Sequence, residues 1–294
     1  MNCARSLNWL AMVTVFTFSW RCPLQAGTED TRSSQLTPAE QQPFDQWRGN
    51  DEHFFQATWF SGVKLDAAPE YFYWQEEHNG RKLLHESGFR FGLELSYKEP
   101  KDRGWLWAAR GKVYFGAVDY DGQTWGGTPL KMTTDYYGGL LELRYGHRWG
   151  WGEKQYLDLM GGAGVEGWER SGNGGAPPGY SEYWIPIYLK AGLDLAPKET
   201  GWVGALGLKL PVYTTQVADL EKFGLGTATL HPGPMVSGYA EAGYKFTKHF
   251  SLTTFFDSYW FKQSSAASSN NGTVIVFQPE SKSFEAGAKV GWTF

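Results

Sequence analysis

The chain has 294 residues, 17% of them Phe, Trp or Tyr and 37 of them glycine, with formal net charge −4 and mean hydropathy −0.44. Mild acidity gives no support for electrostatic binding of nucleic acid. Beyond the N-terminus nothing approaches the ~20 apolar residues of a membrane helix, and both cysteines lie within the first 22 residues, so none is left to staple the rest of the chain.

The N-terminus places Arg5 before an apolar stretch, 7–20, and follows it with Pro23-Leu24-Gln25-Ala26. This pattern predicts a secretory signal peptide over residues 1–26. Its removal would take Cys3 and Cys22, leaving a mature chain without thiols, and Arg5 and Arg21 with no acid, moving the net charge from −4 to −6. Residues 27–54 are rich in Ser, Thr, Gln, Glu and Pro and read as a flexible periplasmic segment.

From residue 55 onward the sequence alternates apolar and polar, the period of a strand with two different faces. The first predicted strand, 55–66, puts Phe55, Ala57, Trp59, Val63 and Leu65 on one side and Lys64 and Asp66 on the other. A long outer loop, 67–86, is expected next; its run Tyr71-Phe72-Tyr73-Trp74 reads as a strand extending above a membrane. Strand 87–97 sets Phe89, Phe91, Leu93 and Leu95 against Arg90 and Glu94, and strand 105–120 sets Trp107, Val113 and Phe115 against Arg110, Lys112 and Tyr114. The rhythm repeats at 141–145, 157–166, 183–194, 202–213, 236–246, 250–260 and 283–294. Ten strands result, joined alternately by five longer loops and four short turns.

The last strand carries the strongest signal. Phe284, Ala286, Ala288, Val290, Trp292 and Phe294 form an apolar face backed by Glu285, Gly287, Lys289, Gly291 and Thr293. A closing strand with Trp292 and a terminal Phe294 resembles the bacterial outer-membrane β-barrel family. That resemblance implies an all-β, antiparallel up-and-down transmembrane barrel of about ten strands over residues 55–294. It implies a location in the bacterial outer membrane and contact with outer-membrane lipid and lipopolysaccharide. It also implies insertion by the barrel-insertion machinery through the C-terminal strand. A monomer is expected, with no cofactor and no metal. Trp59, Tyr97, Trp105, Trp202, Phe246, Phe250 and Trp292 fall at strand ends, where interfacial girdles belong.

The polar face predicts a lumen holding Lys64, Asp66, Arg90, Glu94, Arg110, Lys112, Glu142, Arg144, Asp158, Glu166, Lys190, Asp194, Lys209, Glu241, Lys245, Asp257, Glu285 and Lys289. Barrels of about eight strands have interiors that side chains fill, whereas aqueous channels open nearer sixteen. Ten strands therefore predict a paired, charge-filled interior and a non-enzymatic protein whose outer loops contact ligands or surfaces. A narrow-channel porin is the second reading.

The third is a rim hydrolase. Ten strands and this length resemble the omptin proteases, which implies an acidic pair facing an Asp–His pair across the outer rim. Asp119-Tyr120-Asp121 stands where the acidic pair is implied, and His231 lies in the fourth outer loop, but Thr229 occupies the position of its Asp partner. The chain's Asp-x-His triplet is Asp51-Glu52-His53, before the first strand. His78 and His85 share the first outer loop with Glu76, Glu77 and Glu86, and read as ordinary exposed loop residues rather than metal ligands.

Overall fold

A computed structural model describes residues 62–124, 127–173 and 179–294. The predicted signal peptide, the periplasmic segment, Asp51-Glu52-His53, residues 55–61 and Cys3 and Cys22 lie outside the described residues.

Ten long strands arise where alternation was read: β1 Val63–His78, β2 Arg81–Lys98, β3 Gly104–Gln123, β4 Pro129–Trp151, β5 Gln155–Asn173, β6 Ser181–Pro197, β7 Gly201–Asp219, β10 Ser237–Lys245, β11 Phe250–Lys262 and β14 Glu280–Thr293. Each pairs antiparallel with its neighbour in the chain. The sheet closes through β7–β10 and through β14–β1, where Lys64 faces Thr293 and Glu77 faces Glu280. Closure matters physically, since an unpaired strand edge in lipid would leave its amides and carbonyls without partners. Four short strands decorate one end: β8 Thr227–Leu230 on β7, β9 Gly233–Pro234 on β11, and the hairpin of β12 Ala267–Ser268 with β13 Ile275–Val276.

Connections 99–103, 152–154, 198–200 and 246–249 share one end of the barrel with the chain terminus, where Phe294 N–H donates to the Val63 carbonyl. The opposite end differs from the sequence reading. The expected loop 67–86 is a hairpin in which β1 and β2 pair up to His78 and Arg81, turning on Asn79 and Gly80 alone. Both residues have positive φ, 52° and 71°, as a type I′ turn requires. The β3–β4 connection shrinks in the same way to 124–128, because β4 runs for 23 residues. A tilted span needs only roughly 9–11 residues, so these hairpins stand well above a bilayer. There aromatic and polar residues share both faces, and the alternation that reveals a lipid-facing strand disappears.

One face assignment also changes. Strict alternation along 202–213 would place Tyr213 inside with Lys209, yet Tyr188 pairs with Pro211 and Ile187 with Tyr213, so β7 carries an extra residue at Val212. This bulge exchanges the faces above it. Tyr213 turns outward, 54% exposed, and Thr214 and Gln216 turn inward.

Tight inner packing relies on glycine at two positions. A Cβ at Gly138 would overlap the ring of Tyr114, and one at Gly164 the ring of Tyr188. Each tyrosine thus lies flat over the bare backbone of an adjacent strand.

Candidate functional site: a charged lumen closed by aromatics

Side chains at every second position project inward, and they organise the lumen into three levels. Nearest the short-turn end lies a vestibule of about 290 Å³, reaching from Lys98, Pro197 and Thr293 up to Lys112 and Glu285. Just behind its wall Glu142, almost fully buried, accepts from Arg110 (3.0 Å), Lys190 (3.1 Å) and Tyr188 (3.0 Å), with Arg144 Nε at 3.2 Å. Arg144 also reaches Asp194 (3.1 Å), which Lys98 shares with Asp158 (2.9 and 2.6 Å). Arg148 grips Asp158 with a two-pronged contact, 2.7 Å at each oxygen. Across the cavity Lys289 bridges Glu94 (3.2 Å) and Glu241 (2.9 Å), and Lys64 pairs with Asp66 (2.8 Å).

The vestibule's roof is a closed quartet. Arg90 Nη2 lies 2.7 Å from both Glu70 and Glu285, and Lys112 Nζ lies 2.5 and 2.9 Å from the same two carboxylates. Arg90 also sits over the rings of Phe72 (3.9 Å) and Tyr114 (4.3 Å). Lys209 pairs with Asp257 and covers Tyr259 at 3.4 Å.

Above the quartet the lumen becomes aromatic. Phe72, Trp74, Tyr114, Tyr136, Trp168, Trp184, Tyr188, Tyr259 and Phe261 form one buried cluster. Glu166 at its base accepts from Tyr114 and Tyr259, both at 2.7 Å. The space left between cluster and quartet is about 20 Å³, while one water needs roughly 10–15 Å³.

Over this plug, outside the lipid band, a third level gathers three carboxylates on one cation. Arg170 donates to Glu182 (2.8 Å) and Glu76 (2.8 Å), with Glu86 at 3.6 Å. Trp74 and Trp184 indoles donate to Glu76 and Glu182, each at 3.0 Å, which ties the aromatic plug to the carboxylates around Arg170. Burial pushes the Glu86 carboxyl above its ordinary range against the attraction of Arg170 and the Tyr136 hydroxyl. Burial pushes Glu182 the same way, but Arg170 with the donors Trp184 and Tyr180 outweighs it and holds the carboxyl low.

The outward faces are apolar in mid-strand, with Leu141, Leu143, Leu206 and Leu208 each at least 60% exposed. Aromatics rim this band. At the short-turn end Trp105 stacks on Tyr145 at 5.3 Å, Tyr97 meets Trp107 at 4.7 Å, and His249 stacks on Trp292 at 5.4 Å. At the other rim Tyr71 meets Phe89 at 5.6 Å, and Phe284 lies between Tyr73 and Phe256. A closed antiparallel sheet, apolar outside, polar inside and ringed by aromatics, matches what a lipid bilayer demands of a strand-built span. The chain has the fold of an outer-membrane β-barrel.

Its solved structural neighbours are barrels of the same kind. The outer membrane protease OmpT from Escherichia coli is 14% identical, with TM-score 0.49, covering 79% of this chain and 96% of that one. Neisserial surface protein A is 12% identical, with TM-score 0.34, over 80% and 98% of the two chains. The attachment invasion locus protein Ail of Yersinia pestis is 12% identical, with TM-score 0.31, over 79% and 99%. No protein-family model matches the sequence, and no curated protein matches it.

The omptin-like residues are not brought together. Asp119 and Asp121 occupy outward positions of β3, in register with Thr133 and Lys131 of β4. Lys131 sits 3.0 Å from Asp121, and its hydrogen bond holds that exposed carboxyl below its usual value. His231 Nδ1 bonds the Thr214 carbonyl at 3.1 Å and its ring faces Tyr213. Among the described residues no hydrogen bond or ion pair links the histidine to either aspartate. His78, at the top of β1, bonds Gln263 at 3.0 Å and packs on Phe277.

Of the predicted lumen residues, every one named above has an opposite charge within 4 Å except Glu166, which is satisfied by two tyrosines, and Lys245, which has no carboxylate partner among the described residues. Sequence reasoning missed Glu70, Glu76, Glu86, Arg148, Arg170 and Glu182, and with them the inward aromatics Phe72, Trp74, Trp168 and Trp184. Period-two continuation from Asp66 would have found Glu70, Phe72, Trp74 and Glu76, had Asn79-Gly80 been taken as the hairpin turn that it is.

Proposed function

We propose that this protein is a closed, non-conducting barrel whose long hairpins present a polar surface to ligands or neighbouring surfaces outside the outer membrane. One observation carries the reading: the aromatic cluster spans the lumen with Trp74, Trp184 and Phe261 fully buried. Large side chains without solvent contact leave no continuous water, and the ion pairs beneath them are satisfied by one another rather than by a passing ion. The outward positions above the lipid band support surface contact: Asp119 is exposed, Asp121 pairs with Lys131 and Glu77 pairs with Lys282. Outer-membrane lipid and lipopolysaccharide are the proposed partners of that band, with the barrel as a monomer. Placement of Asp119 and Asp121 on the outside of β3 weighs against a rim hydrolase.

Conductance of the refolded full chain in a planar bilayer tests this reading. Silence from protein shown to be inserted is expected. Stable, salt-dependent steps would replace it with the narrow-channel porin.

A further inference from the structure

The lumen's charge is unevenly divided by its aromatic plug. In the plug and the level above it, Glu76, Glu86, Glu166 and Glu182 face the single cation Arg170. The vestibule has the opposite excess. Eight cationic side chains line it against six carboxylates. The carboxylates just behind the wall, Glu70, Glu142 and Asp158, do not redress this, for Arg90, Lys209 and Arg148 add an equal number of cations. Two positive charges are therefore left over in a chamber of about 290 Å³.

Such an excess is costly among low-dielectric walls unless an anion enters. Several donors are placed to receive one. Arg110 and Arg144 each keep 17% of their side-chain surface open, and both line the vestibule. Arg110 Nε is buried without a hydrogen-bond partner. The hydroxyls of Tyr239 and Ser251, on residues more than nine-tenths buried, line the same chamber and also lack partners. Lys245 lies in register with Ser251 on the adjacent strand.

We propose that the vestibule is a binding site for a small dianion of the phosphate type, entering from the short-turn end. Arg110 and Arg144 supply planar donors suited to tetrahedral or carboxylate oxygens, and Lys245 supplies the remaining unpaired charge. The site lies below the plug, so occupancy requires no passage through the barrel and does not depend on the closed-lumen reading.

The test is isothermal titration of the refolded full chain with inorganic phosphate at pH 8 and low ionic strength, where screening is weakest. Saturable binding of about one phosphate per barrel is expected, weakened about tenfold by Arg144→Gln and by Lys245→Gln. Lys131→Gln, on the outer face, leaves it unchanged. Lys245→Gln breaks no ion pair, so it keeps the test decisive should Arg144→Gln fail to fold. Absence of saturable binding, or equal affinity in Lys245→Gln and the unsubstituted chain, would overturn the proposal.

Discussion

Trp168 and Trp184 stack on neighbouring strands with ring centroids 5.6 Å apart and planes 7° from parallel, in the middle of the lumen. Trp74 meets Trp184 edge-on at 5.1 Å from another part of the wall, so three indoles occupy the width that water would need. Replacing Trp74, Trp168 and Trp184 together by alanine is expected to convert a silent barrel into one with discrete conductance steps in a planar bilayer. Each truncation of this kind costs roughly 3–5 kcal/mol in a packed core. Folding of the triple variant is therefore checked first, by the fraction resisting denaturation in detergent. A folded but silent triple variant would place the block elsewhere.

Much of this architecture was legible from parity alone. From Phe89 to Leu95, and from Val290 to Phe294, lipid on one side and charge on the other force strict alternation, and strand, face and sheet closure follow. Where that contrast ends, the reading fails. Residues 67–86 mix aromatic and polar side chains on both faces, so no apolar-against-polar contrast marks them as strand. Val212 is invisible for a different reason: a bulge leaves composition unchanged and reverses faces. The vestibule's charges could be enumerated from sequence, but their pairing could not, because Arg90 and Glu285 are distant in the chain and meet only when the barrel closes.

Tyr114 and Tyr188 depend on missing side chains across the strand interface. Gly138→Val or Gly164→Val is expected to displace the ring and lower stability by about 1–3 kcal/mol, the usual range for overpacking. Gly161→Ala is the control, since its Cβ would meet nothing nearer than 3.9 Å. Urea unfolding in vesicles, followed by tryptophan fluorescence, distinguishes them. Equal midpoints for Gly138→Val and Gly161→Ala would show that the tyrosine ring yields freely.

Glu142 balances Arg110, Arg144 and Lys190 from a nearly inaccessible position. Removing one partner of a buried pair commonly costs about 3–5 kcal/mol, and here one carboxylate serves three cations. Glu142→Gln is therefore expected to fall at or beyond the upper part of that range. Glu77→Gln, which loses only a surface pair with Lys282, should change stability by less than ~1 kcal/mol. Comparable midpoints for the two variants in the urea assay would mean that vestibule water, rather than Glu142, carries the compensation.

Above the plug, Glu86 and Glu182 share Arg170 but should respond to pH in opposite senses. Glu182 is held below its ordinary value, so the folded state binds its proton less tightly than the unfolded chain does. Its contribution is present above the ordinary glutamate value, near ~4.3, and fades as acid carries the pH down through the lowered one. Glu86 is held above that value, chiefly by burial. Its contribution is complete below ~4.3 and is lost as pH rises through the raised value. At neutral pH Glu182→Gln is thus expected to lower the unfolding midpoint, with the deficit vanishing as the pH falls through the lowered Glu182 value. Glu86→Gln is expected to raise it at neutral pH, because Arg170 keeps Glu76 and Glu182 while an unfavourable buried charge is gone, and the gain disappears below about pH 4. Parallel pH profiles for the two variants would mean that the carboxylates act as one pooled charge around Arg170, and the separate burial of Glu86 would have no energetic consequence.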